Sequence, residues 1–224
     1  MILSEDLLLL LTDDDSGRTA ETVDRLALAV AGGVLCDLLL AGRVAVTGPG
    51  ESVRAGRVVV RDATPLGDPV LDGALARLRV APPKKPQSAL TLLRTGLLEE
   101  LRTRLVARGI LKVEEGKVLG LFPRTSWPAE DSTHETEVRR RLREVLVDGR
   151  EADPREAGLI ALLEAVNRVP GVMGDVGLSV RELRARSKAV AHRHIAAEAV
   201  RRALATTGKD VAGGALEVAV VGLS

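Results

Sequence analysis

LALAVAGGVLCDLLLA, residues 26–41, is apolar on nearly every side and carries a single charge, Asp37. A helix that is hydrophobic all round belongs inside a protein core or a membrane. The stretch falls short of the roughly 20 residues a membrane-spanning helix needs, and its charge sits near one end. The core is therefore the expected place. Gly32 and Gly33 lie in mid-helix, where each costs about 1 kcal/mol relative to alanine. Close approach of a neighbouring helix is the usual compensation. The segment reads as the central helix of the fold, starting near Thr19 and ending near Ala41.

Upstream, Ser4 followed by Glu5 and Asp6 reads as an N-terminal cap, with carboxylates near the positive end of the helix dipole. Leu7 to Leu11 is apolar all round, so this short helix is expected to be sandwiched. Asp13 to Gly17 reads as a turn. Downstream, the β-branched runs Arg43–Thr47 and Arg57–Arg61 flank a Gly/Pro/Ser loop and predict a hairpin. Helices are expected from Val70 to Leu78 and from Ser88 to Arg108, the latter ended by Gly109. A second hairpin is predicted with Ile110–Val113 and Val118–Phe122 as strands and Glu114–Lys117 as the turn. Pro123 and Pro128 bracket a loop holding Trp127. Further helices are expected at Ser132–Val147, from Asp153-Pro154 to Pro170, and at Ser179–Thr206, with Leu216–Val221 closing the chain as a helix or strand. The fold class is mainly α: a single domain over residues 1–224, a helical bundle around a buried hydrophobic central helix, with one or two small β-hairpins.

Composition narrows function. Hydrophobic residues at 46% and charged residues at 28% fit a globular protein. Phe122 and Trp127 are the whole aromatic set, which leaves few rings for stacking on single-stranded nucleic acid. The net charge of +1 gives no whole-protein attraction to polyanions, so any such attraction must be local. Cys36 is the one cysteine, which excludes an internal disulfide and suits a reduced, cytoplasmic compartment. The N-terminus lacks the basic region and cleavage site of a secretory signal.

No catalytic or metal motif emerges. One cysteine and three histidines, at 134, 192 and 194, do not make a usual zinc site. The loop Gly48–Gly56 lacks the Gly-Lys-Ser/Thr ending of a phosphate loop and leads towards a strand, so it reads as a hairpin loop. Glu99-Glu100 and Glu114-Glu115 read as solvated faces, and Cys36 as an inert buried thiol. Arg139, Arg140, Arg141 and Arg143 share a helix with Glu135, Glu137 and Glu144, suggesting ion pairs. Arg181, Arg184, Arg186, Lys188 and Arg193 form a denser stripe that could attract anions, although solvated charge is the blander reading. No enzyme activity, metal or cofactor is expected.

Five segments in order carry a resemblance: LSEDLLLLLTDDDSG at 3–17, GGVLCDLLLAGRVAV at 32–46, DATPLGDPVLDGAL at 62–75, LVARGILKVEEGKVLGLF at 105–122 and DPREAGLIALLEAV at 153–166. Together they resemble the Golgi phosphoprotein 3 family over nearly the whole chain. The Ala, Leu, Arg, Gly and Val usage fits a GC-rich bacterial genome. The resemblance implies a helical fold around a buried central helix, and a peripheral membrane protein that binds phosphatidylinositol 4-phosphate. It further implies self-association and membrane contact through the hairpin at 114–126, with Leu119, Leu121 and Phe122 as its apolar tip. The tryptophan and arginines that hold the lipid phosphate in eukaryotic members fall on Thr22, Ala31, Thr95 and Leu98, which leaves Arg25 and Arg94 as the candidates here. Such a protein would be cytoplasmic or peripheral on the cytoplasmic membrane face, with an anionic lipid as partner and a homo-oligomer formed through the hairpin.

Two alternatives stand beside the membrane reading. A cytoplasmic, self-associating scaffold would bind protein partners without lipid. A winged-helix-like nucleic-acid binder would use the 88–108 helix and the following hairpin, but Glu99, Glu100, Glu114 and Glu115 there repel phosphates.

Overall fold

A computed structural model of the chain describes residues 1–19, 21–118 and 122–193. The expected central helix is α2, Val23–Leu40, and Leu26 and Leu28–Leu38 are all buried. Thr22 caps it, its side chain accepting from the Arg25 backbone N–H. Against it lies α1, Leu3–Leu10, every residue of which is buried. The approach is close at Gly33: a Cβ there would come within 2.7 Å of the Ser4 backbone. The glycine thus loses helix propensity and gains helix–helix contact, as the sequence suggested.

The expected cap at Ser4 is not formed. The cap lies two residues earlier, at Ile2, and the helix opens at Leu3. Ser4 lies inside the helix against Gly33, and its hydroxyl is buried without a partner among the described residues. The free N–H groups are met by carboxylates: Glu5 Oε2 accepts from Ile2 at 2.9 Å, and Asp37 Oδ2 accepts from Leu3 at 2.7 Å. Because α1 is pressed into α2, its acids are buried, and buried charges require partners. Arg104 Nε lies 2.9 Å and Arg108 3.2 Å from Glu5 Oε1. Arg155 bridges Asp6 at 2.7 Å and Asp37 at 3.2 Å, and His134 Nε2 reaches Asp6 at 2.7 Å.

Around this pair the chain lays further elements. Strands β1, Val44–Val46, and β2, Val58–Val60, form the first hairpin with Val44 opposite Val60. Helix α3, Pro69–Val80, is capped by Asp68. The single helix expected at 88–108 is two: α4, Pro86–Leu93, and α5, Leu97–Ala107. Gly96, at φ +74°, breaks it, because that left-handed conformation suits glycine and ends the helical run. The bend lets Leu90, Leu93, Leu97 and Leu101 all reach the core.

The second hairpin exists in a different register. Strands β3, Glu114–Val118, and β4, Phe122–Ser126, pair with Glu114 opposite Ser126 and Val118 opposite Phe122. The residues expected to form the turn, Glu114–Lys117, are in a strand, and Pro123 is in the opposite one. An isolated bridge between Leu111 and Ala129 belongs to the same register, so the base of the ladder fixes the pairing. Polarity misled the sequence reading because burial does not select the faces of a hairpin that packs chiefly on itself.

Helices α6, Thr133–Leu146, α7, Pro154–Ala165, α8, Val169–Met173, and α9, Val180–Arg193, complete the described chain. Pro170 opens α8 instead of ending α7; the break is at Asn167, with φ 60°. The helix expected to run to Thr206 is described as far as Arg193, and Leu216–Val221 lies outside the described residues. The molecule is mainly helical with two small antiparallel sheets, and α2 touches α1, α3, α4, α5 and α7. No helix among the described residues is long and apolar enough to cross a membrane.

Candidate functional site

Both candidate arginines sit at the N-terminal end of α2. Capping by Thr22 leaves the first turn exposed there, with Val23 68% accessible. Arg25 on that turn places Nε 3.1 Å from Glu21 Oε2 and donates from NH2 to the Val166 carbonyl at 3.0 Å. Arg168, just past α7, also pairs with Glu21. Arg94 closes α4 and reaches across to Asp24 Oδ1 at 3.1 Å. Arg77 on α3 donates to the carbonyl of the next residue, Thr95, at 3.1 Å. Arg25 and Arg168 thus meet on Glu21 and Arg94 meets Asp24, while Arg77 holds the backbone beside Arg94.

The two candidates are held differently. Asp24, the partner of Arg94, has a 77% exposed side chain, whereas Glu21, the partner of Arg25, is 4% exposed. An exposed pair is worth at most about 1 kcal/mol. Arg94 can therefore be taken over by a stronger anion at small cost, while Arg25 is tied into the fold. Asp24 and Glu21 are acidic partners of the candidate arginines that motif reasoning missed; the adjacency of Asp24 to Arg25 was the available signal.

The four positions that the resemblance sets against the family's phosphate-holding residues carry no cationic or aromatic side chain here. Ala31 is fully buried in the core and Leu98 is 5% exposed, so neither presents a polar group. Thr22 is the helix cap and Thr95 gives its carbonyl to Arg77.

Of the hairpin tip, Leu119 and Leu121 lie outside the described residues, and Phe122 opens β4. The hairpin base is well fixed. Gly17, at φ +61°, meets the Trp127–Pro128 backbone so closely that a Cβ would fall 2.3 Å from it. Ala129 N–H donates to the Asp14 carbonyl at 2.9 Å, and the Arg102 guanidinium lies 3.6 Å over the Trp127 ring. Glu99, Glu100, Glu114 and Glu115 are all exposed, which disfavours phosphate backbones along this helix and hairpin.

Other candidate chemistry is structural. Burial pushes the Cys36 thiol up to about 12, leaving it inert at neutral pH. Burial raises Asp37 to about 6, against the opposing effects of the Leu3 N–H and Arg155. Burial, with a hydrogen bond that the protonated Glu135 carboxyl donates to Asp14, raises Glu135 to about 7 despite Arg139. Three of the four α6 arginines are ion-paired as expected, Arg139 to Glu135, Arg140 to Glu137 and Glu144, and Arg141 to Glu137. Among the described residues no group of three or more His, Cys, Asp or Glu could hold a metal ion.

Two clefts share no lining residue with the arginine cluster. One, of 560 Å³, lies between Gly67–Val70 and the Glu100–Arg108 face of α5. The other, of 180 Å³, lies beside Asp6, His134 and Arg155. The central guanidinium of each, Arg104 and Arg155, is already bound to two carboxylates.

The fold and the order of its segments agree with a comparison of the chain against known families. The model of the Golgi phosphoprotein 3 (GPP34) family matches residues 3–207, and the protein belongs to that family.

Proposed function

We propose that the protein is a peripheral membrane-associated binding protein that recognises an anionic lipid head group, with phosphatidylinositol 4-phosphate the candidate the family suggests, and that it acts by binding rather than catalysis. Arg94 takes the head-group phosphate, with Arg25 adding positive charge beside it from within its Glu21 pair, and the hairpin tip Leu119, Leu121 and Phe122 adds a small apolar anchor. Two weak attachments are needed because one alone rarely gives stable membrane binding. The observation that carries this reading is the Arg94–Asp24 pair, which brings two arginines 69 residues apart in sequence to one exposed helix end. A phosphate offers charge-assisted acceptors that an exposed aspartate cannot match.

Flotation with vesicles containing phosphatidylinositol 4-phosphate tests it. Arg94→Gln is expected to weaken binding roughly tenfold or more, the worth of one charged hydrogen bond. Asp24→Asn, which frees Arg94, is expected to strengthen it. Equal binding by wild type and both variants would remove this site.

A second reading, a self-associating protein scaffold without lipid contact, is favoured by one observation: β3 and β4 pack chiefly on each other, leaving the hairpin free to meet a second copy.

A further inference from the structure

The cationic face of α9 is the strongest charged surface that the head-group reading does not use. The helix carries Arg181, Arg184, Arg186, Lys188 and Arg193 against one acid, Glu182, in a chain whose net charge is +1, so the rest of the chain is net acidic. Its positive charge is local.

The side chains divide by role. Leu183, Ser187 and Ala191, spaced by four residues, are buried and seat the helix on its neighbours, with Ala191 against Ala161 of α7. Arg186 donates to the Leu146 and Val147 carbonyls at the end of α6, at 3.0 and 2.7 Å. Glu182 serves as a cap: it accepts from the Ser179 N–H at 3.0 Å and the Ser179 hydroxyl at 2.6 Å, which lowers its pKa. The one acid of the helix is therefore committed to the helix terminus.

Arg181, Arg184, Lys188 and Arg193 remain, and the first three, spaced by three and four residues, fall on one outward face. All three are exposed, and their charged groups make no hydrogen bond or ion pair with any described residue. The contrast is α6, whose Arg140 and Arg141 are neutralised by Glu137 and Glu144. Between the α9 cations lies Ala185, short enough to let a flat surface come close.

We infer that this face of α9 is a second membrane contact, which lies on the anionic lipid surface by charge complementarity and without head-group selectivity. The inference rests on the membrane association proposed above. A planar layer of lipid phosphates meets one straight helix face. A nucleic-acid duplex would need a longer basic tract, and the net acidic remainder of the chain would oppose it. Each Lys or Arg near an anionic membrane contributes about fivefold in affinity, so three give on the order of 100-fold.

The experiment is co-sedimentation at low salt with phosphatidylcholine vesicles, with and without phosphatidylglycerol. Wild type is compared with R181Q/R184Q/K188Q, with R94Q, and with R18Q/R54Q/R79Q, which removes the same charge from scattered exposed sites. Thermal melts of each variant verify the fold. The expected result is a loss on the order of 100-fold for the α9 variant, a much smaller loss for the scattered variant, and no binding without phosphatidylglycerol. Wild-type binding by the α9 variant, with a loss confined to R94Q, overturns the α9 contact and leaves the head-group site standing. Equal losses in the α9 and scattered variants overturn it in favour of net charge. Failure of wild type to bind phosphatidylglycerol vesicles overturns the α9 contact and leaves the head-group site to its own flotation test, and duplex DNA binding that depends on α9 would then name the other occupant.

Discussion

Gly33 shows how one missing carbon can decide a helix pair. In an isolated helix, alanine would be better than glycine by about 1 kcal/mol. Here a Cβ would sit 2.7 Å from the Ser4 Cα and N, and backbone cannot swing aside. Gly33→Ala is therefore expected to destabilise the protein by about 1–3 kcal/mol, the usual cost of overpacking. Urea unfolding measures it; a stabilised variant would show that α1 and α2 do not touch there. Glu135 supplies a second test at this scale. Its carboxyl is 3% exposed and its pKa is raised from 4.5 to about 7, so the native state holds the proton longer than the unfolded chain. That contribution is full below about pH 4.5 and drains away as pH rises to about 7, by roughly 3 kcal/mol at most. Melting temperatures of wild type and Glu135→Gln between about pH 5 and pH 8 should diverge in favour of the variant as pH rises. A pH-independent gap would refute the shift.

At the scale of elements, the hairpin and the broken helix teach the same lesson. Sequence located both regions, but it placed the second turn on polar residues and drew one helix through Gly96. In each case pattern was read as burial. The hairpin register is instead set by the ladder that starts at Leu111 and Ala129, and the helix break by the φ of Gly96. Because the hairpin packs chiefly on itself, a Leu121→Asp/Phe122→Asp double variant should leave the melting temperature within about 2 °C of wild type, as a surface change does. If the tip joins two copies, light scattering after size exclusion will show a smaller species for that variant. An unchanged mass would mean that the tip is not the contact between copies.

For the whole molecule, the hydrophobic core is arranged around α1 and α2, and the arginines of the α2 end and of α9 lie at its periphery. Amides from Leu26 to Leu38 should exchange with solvent only through global unfolding, whereas those of β3 and β4 should open first, with far lower free energy. Native-state hydrogen exchange reads both; early exchange in mid-α2 would contradict a buried spine.

The order and periodicity of residues suffice to show that this spine is buried, that a close helix meets a glycine within it, that the fold is mainly helical with small hairpins, and which family it belongs to. Those conclusions follow from periodicity and segment order, which act along the chain. Only the tertiary structure decided which charges face each other. Glu5 and Asp6 read as carboxylates for the helix dipole and became buried partners of Arg104, Arg108 and Arg155. Arg94, a candidate phosphate ligand, met Asp24, whereas Arg181, Arg184 and Lys188, in a dense stripe, met no described acid. A charge is defined by its neighbours in space, and packing alone brings residues 70 apart to within 3.1 Å.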